Sequence, residues 1–84
     1  MNIAYTSTAL SDLKKIPKKD QKRILDKLDR AVSLKNPLSQ ARPLTGHPEF
    51  YRFRIGPWRV IVEPRDTQLV VHIIDDRKDV YRRM

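Results

Sequence analysis

The chain has no cysteine, which excludes disulfide bridges and all thiolate chemistry. Histidine is almost as scarce: His47 and His72 stand alone, without metal-ligand spacing, so neither a structural zinc nor any other metal is expected, and no motif calls for a cofactor. No hydrophobic run is long enough to span a bilayer and no signal-peptide pattern opens the sequence, so a cytoplasmic protein without a membrane partner is expected. Acidic residues are few relative to basic ones. Ten Asp and Glu against eighteen Lys and Arg give a net charge of +8 and a pI near 10.2. On a body of 9.9 kDa this excess points to nucleic acid or an acidic protein as partner. Residues 1–84 are expected to form one domain, since so short a chain has no room for a second core.

What is present divides into a helical half and a strand half. Asn2 to Tyr5 predicts a short first strand, and Ser7 or Thr8 is placed to cap the helix that follows. Leu10, Leu13 and Ile16 mark its buried stripe, and Pro17 ends it. Asp20 then caps a second helix carrying Ile24, Leu25, Leu28, Ala31 and Val32 at helical spacing, stopped by Asn36-Pro37. The opposite faces of this helical hairpin carry Lys14, Lys15, Lys18, Lys19, Lys22, Arg23, Lys27 and Arg30. Such a face serves solubility, and it also steers a protein toward a polyanion. Pro37 to Pro48, with three prolines and no usable period, is expected to be a connecting loop pinned by Leu38 and Leu44.

The segment from Phe50 to Val62 is the most informative. Its apolar residues alternate with arginines, and if Gly56-Pro57 is a two-residue hairpin loop, Ile55 opposes Trp58, Arg54 opposes Arg59 and Phe53 opposes Val60. Trp58, in alternation with Val60 and Val62, is assigned to the core. Like charges directly across a strand pair are destabilising, so Arg54 facing Arg59, with Arg52 on the same face, implies an anion there. Phosphate matches the guanidinium fork. Pro64 to Thr67 reads as a turn, and Leu69 to Ile74 is apolar enough for a central strand. The order β-α-α-β-β-β gives an α+β domain: helices on one face of a mostly antiparallel sheet, arginines on the other.

Taken together, the leading strand, the helical hairpin, Pro43-Leu44, the run Tyr51-Arg52-Phe53-Arg54-Ile55-Gly56-Pro57-Trp58-Arg59-Val60-Ile61 and the final Arg77-Lys78-Asp79-Val80-Tyr81 resemble the RelE/ParE superfamily of bacterial toxins, nearer its RelE branch. The resemblance covers almost the whole chain. It implies a metal-independent, ribosome-dependent endoribonuclease that cuts messenger RNA, and a cognate antitoxin bound in a hetero-oligomer. It carries over to Arg52, Arg54, Arg59, Arg77 and Tyr81; Arg54, Arg59, Arg77 and Tyr81, with Asp76, are expected to be catalytic, and Arg52, Arg54, Lys78 and Arg82 to bind RNA. Many relatives have Gly-His before the arginine of the last motif, where this chain has Asp75-Asp76. The identity of the acid–base pair is therefore open.

Cutting RNA through its own 2′-hydroxyl requires a proton acceptor, stabilisation of the charged phosphorane, and protonation of the leaving 5′-oxygen. Arginine suits the second task, and its pKa above ~12 disqualifies it as a base. Asp76 and His72 are the base candidates. Each has a plainer reading: Asp76 pairing with a neighbouring cation, His72 as a hydrogen-bonded strand histidine. His47 and Glu63 read as solvent-facing. Tyr81 either stacks on an unpaired base or packs against the sheet edge. Two further functional readings stand beside the ribonuclease: a ParE-like inhibitor of DNA gyrase, and a basic RNA-binding relative that has lost catalysis.

Overall fold

A computed structural model describes residues 1–84. β1 (Asn2–Tyr5) leads into α1 (Ser7–Lys14), whose N-cap is Thr6 rather than Ser7 or Thr8. The Thr6 hydroxyl accepts a hydrogen bond from the Ala9 amide at 3.1 Å, while its own amide donates to the Val71 carbonyl. The cap thus also ties the helix to the sheet. Its position turns Ala9, Leu13 and Ile16 inward, at i, i+4 and i+7, and leaves Leu10, expected in the core, 45% exposed. The second helix, α2 (Lys18–Ser33), starts from Pro17, not Asp20. Proline's missing N–H costs nothing at a helix entrance, and Asp20 instead sits in the first turn, where a negative charge favours the helix dipole. α2 buries Ile24, Leu28 and Ala31 and stops at Leu34, short of Asn36-Pro37.

The region expected to be a loop contains β2 (Arg42–Leu44) and the start of β3 (His47–Ile55). Its prolines hid the strand signal, yet Pro43 lies on an edge strand, where a missing donor is tolerated. β4 (Trp58–Arg65) and β5 (Gln68–Asp76) complete a five-stranded sheet in the order β1-β5-β4-β3-β2. β1 and β5 run parallel and every other pair antiparallel, so the sheet is mixed. β4 continues through Pro64 and Arg65, where a turn was expected, because β3 has already left it beyond Val62 and the strand is locally an edge. The turn falls on Asp66 and Thr67, with Asp66 at φ 53°, a conformation aspartate tolerates.

The β3–β4 hairpin has the expected register: Ile55 opposite Trp58, Arg54 opposite Arg59, Phe53 opposite Val60. Gly56 at φ 59° followed by proline is the residue pattern of a type II′ turn, which matches the twist of the strands. The positive φ disfavours any other residue there, and a Cβ would also lie 2.7 Å from Arg23 Nη1 of α2, so that this flexible guanidinium would have to move.

The main core lies between the helices and one sheet face, around Leu13, Ile24, Leu28, Phe53, Val60, Val62, Leu69, Val71 and Ile74. Trp58 lies half-buried at its margin. The opposite face is not left to arginines alone. Leu44, Ile61 and Val80 form a second apolar cluster with Phe50, Ile73 and Met84, sealed by a short C-terminal helix, α3 (Asp79–Arg82), that the sequence pattern did not predict. α3 is anchored through a buried carboxylate. β1 ends opposite Val71, leaving the edge of β5 open, and Asp12 of α1 closes it by accepting from the Ile74 amide at 3.0 Å. Arg83 Nη1 donates to the same carboxylate at 3.1 Å and to Asp75 at 2.8 Å. No helix is long and apolar enough to cross a membrane.

An arginine-lined cleft as candidate functional site

Two cross-strand pairs set like charges against each other. Arg42 of β2 opposes Arg52 of β3, and Arg54 of β3 opposes Arg59 of β4. With Arg77, just beyond β5, and Gln40 and Tyr81, they line an open cleft of about 640 Å³. No carboxylate lines it. Each like-charged pair costs stability in the free protein, and a bound anion relieves that cost.

The arginines differ in how they are held. Arg54 is exposed, whereas Arg59 is 9% exposed and donates to the carbonyls of Gly56, at 3.0 Å, and Trp58, at 2.9 Å. Burial, then the charge of Arg54 and more weakly those of Arg77 and Arg52, pushes the Arg59 pKa down, with Tyr81 acting the other way. Arg52 donates to the Tyr81 hydroxyl and lies 5.9 Å from the centre of that ring. Tyr81 remains 41% exposed, held at the cleft mouth by an α3 whose Val80 is fully buried. An aromatic face beside a cluster of arginines is suited to a stacked base.

The two base candidates sit differently. Asp76 lines an adjoining hollow of about 350 Å³ with Arg54, Arg59, Arg77 and Lys78. Its Oδ1 accepts from the amides of Asp79, at 2.9 Å, and Lys78, at 3.0 Å, which shapes the entry to α3. The hydrogen bond from the Asp79 amide, chiefly, holds its carboxyl below the usual carboxylate range. For a depressed pKa the linked stability is present above the unfolded-state value of about 4 and is lost as pH falls through the folded-state value. Asp76 therefore introduces no acid limb near neutrality: a pH–rate profile is expected to show no inflection from this residue above about pH 5. An acid limb near neutrality that disappears in Asp76→Asn would contradict this.

His72 lies outside the cleft. A bulge in β5 opposite Ile61 and Val62 leaves it unpaired, and its Nε2 meets Glu63 Oε1 at 2.8 Å, with the Phe50 ring at 5.3 Å. The His47 ring lies 6.1 Å from that of Phe50, tilted by 30°, and is half-buried rather than solvent-facing. Glu63, expected to face solvent, is bound to His72. Lys78 belongs to the adjoining hollow, and Arg82 points away to Asp79 at 3.6 Å. Arg42 and Gln40 were missed because their segment read as a loop. Asp75, Asp76 and Asp79 lie near one another, but Asp75 accepts from Arg83, Asp76 accepts from backbone amides and Asp79 forms an ion pair with Arg82.

The fold and cleft define a small basic α+β domain with a cluster of arginines on the sheet face opposite its main helices. A family model described as the ParE toxin of the type II toxin–antitoxin system, parDE, matches residues 3–80, and the chain belongs to that toxin family. It is 25% identical to the toxin RelE3 of Methanocaldococcus jannaschii over 84 residues, covering 96% of each chain. The crystal structure of the RelBE2 toxin–antitoxin complex from Mycobacterium tuberculosis matches with TM-score 0.79 and 25% identity, over 90% of each chain. The chromosomal ParDE system of P. aeruginosa matches with TM-score 0.68 at 18% identity, over 90% of this chain and 95% of that one. RelE-named and ParE-named proteins thus share this fold.

Proposed function

We propose that the protein is a cytoplasmic ribosome-dependent endoribonuclease that cleaves messenger RNA. The observation that carries this reading is the convergence of Arg42, Arg52, Arg54, Arg59 and Arg77 with Tyr81 in one cleft that contains no carboxylate. The arginines hold the scissile phosphate and stabilise the dianionic phosphorane. Tyr81 stacks on a neighbouring base. The 2′-oxygen attacks phosphorus and gives its proton to solvent water, the bond to the 5′-oxygen breaks and that oxygen takes a proton from water, and the products are a 2′,3′-cyclic phosphate and a 5′-hydroxyl end. Because the cleft lacks a carboxylate or imidazole to take the 2′-proton, the rate rests on electrostatics and on presentation of a bent message by the ribosome. Such positioning is worth several kcal/mol, up to roughly 7–11 in well-oriented systems.

The second reading, a ParE-like inhibitor of DNA gyrase, is favoured by the family model that matches the chain. One experiment separates the two. On induction in cells, mapping of transcript 5′ ends is expected to reveal new cuts inside translated codons, with plasmid supercoiling unchanged. Altered supercoiling without new transcript ends would favour the gyrase reading.

A cognate antitoxin is the proposed partner, as the solved RelBE2 complex suggests. At a net charge of +8 the free toxin favours an acidic or amphipathic companion. Tagged protein expressed from its native operon is expected to copurify with a small stoichiometric chain at moderate salt. Recovery of the toxin alone would remove this part of the proposal.

A further inference from the structure

The cleft is not the chain's only basic concavity. α2 turns Lys19, Lys22, Arg23, Lys27 and Arg30 toward the tip of the β3–β4 hairpin, and with Asp26, Arg54, Ile55 and Gly56 they enclose a groove of about 440 Å³. The helical spacing of these cations aligns them along one face, over about 16 Å from Lys19 to Arg30. None makes an ion pair: those of the chain lie at Glu63, Asp79, Asp12 and Asp75, and Asp26, the one carboxylate of the lining, is not within 4.0 Å of an α2 cation. Arg54 lines both this groove and the arginine cleft, so the two basic tracks meet at one side chain.

We infer that this groove carries a single-stranded segment of the same polynucleotide that occupies the arginine cleft, continuing past Arg54 along α2. The inference rests on the ribonuclease reading and extends it to the flanking strand. A run of about 16 Å accommodates up to about five nucleotides, the number reached at the ~3.4 Å spacing of a fully stacked strand. The lining argues for phosphates over a docked protein segment. Protein segments are held by apolar or aromatic anchors in pockets, and this groove offers one hydrophobic residue, Ile55, among its nine. What it offers instead is a row of unpaired charges, which a phosphodiester backbone fits. Arg23 over Gly56 fixes the floor, because the missing side chain lets the guanidinium approach the turn.

The test uses the full chain and 2′-O-methyl oligouridylates, which cannot be cut by 2′-hydroxyl attack, so binding is read independently of cleavage. The variant Lys19→Gln/Lys22→Gln/Lys27→Gln spares Arg23 and keeps good helix formers on α2. Fluorescence anisotropy is expected to show about a tenfold or greater loss of affinity for a nine-mer, no change for a three-mer, and a fall of about 2 in the slope of log affinity against log salt, at about 0.7 per phosphate contact. A nine-mer that binds the variant as tightly as the wild type would overturn the groove, and so would equal losses for both lengths. Loss confined to a duplex RNA, or to antitoxin binding, would equally overturn it, assigning the face to another partner. The two proposals fail separately. A wild-type chain that cuts no transcript yet loses nine-mer binding in the variant retains the groove and loses the ribonuclease. One that cuts transcripts with nine-mer binding unmoved retains the ribonuclease and loses the groove.

Discussion

Replacing Arg54 with alanine is expected to lower ribosome-dependent transcript cleavage by about 10²–10³-fold, the cost of losing one preorganised donor at a developing charge. The melting temperature should stay within about 2 °C of wild type. Both expectations follow from how Arg54 is held: its side chain is exposed, makes no hydrogen bond or ion pair within the protein, and faces another arginine across the hairpin. Removing it leaves nothing unsatisfied and relieves a repulsion. Arg59 is a less clean probe. It is buried and bonded to two carbonyls of the hairpin, so Arg59→Ala removes a turn support along with a charge and confounds folding with function. Primer extension on ribosome-bound message, paired with thermal denaturation of the same preparation, measures both quantities. Unchanged cleavage in a folded Arg54→Ala protein would remove the arginine cleft from the mechanism.

The hairpin was the part of this architecture most legible in the sequence, because two local signals agreed. Strict alternation fixed which residues faced the core, and Gly56-Pro57 fixed the loop length, so the opposition of Arg54 and Arg59 followed before any coordinates. The amphipathic helices were legible for the same reason, although their caps were misplaced by one to three residues at Thr6 and Pro17. β2 was not legible. Three residues give no period, and a proline within them mimics a loop; only pairing with β3 reveals that Arg42 joins the cleft. α3 was hidden likewise, since four residues cannot show a helical repeat and what holds them, Val80 in the second core, is a tertiary contact. Asp76 has a structural role that its place in the sequence does not show. Its place in the sequence marked it as a base candidate, while its hydrogen bonds to the Lys78 and Asp79 amides, invisible in one dimension, give it a turn to hold.

Asp12 is where that hidden layer is expected to matter most for stability. It lies 71 residues from Arg83, is 9% exposed, and satisfies two demands at once: the Ile74 amide at the open edge of β5 and the guanidinium that fastens the C-terminus. Hydrogen bonds donated to Asp12 and then Asp75 push the Arg83 pKa up, so the guanidinium stays charged at any ordinary pH. Asp12→Ala leaves a buried amide unpaired, at about 1–3 kcal/mol, and strips Arg83 of one of its two carboxylates. Because Arg83 is a third exposed, water screens part of that second loss. The sum, about 2–3 kcal/mol, corresponds to a fall of about 10–20 °C in melting temperature for a chain of this size. Asp12→Asn keeps an acceptor for Ile74 and loses only the charge, so it should cost about 1 kcal/mol. The order alanine, asparagine, wild type is the signature, and hydrogen exchange at the Ile74 amide should accelerate in the alanine variant alone. Activity should follow in the same order, since the segment released by losing the latch carries Tyr81 at the mouth of the cleft. Equal melting temperatures for Asp12→Ala and wild type would show that the edge of β5 is closed by something other than this carboxylate.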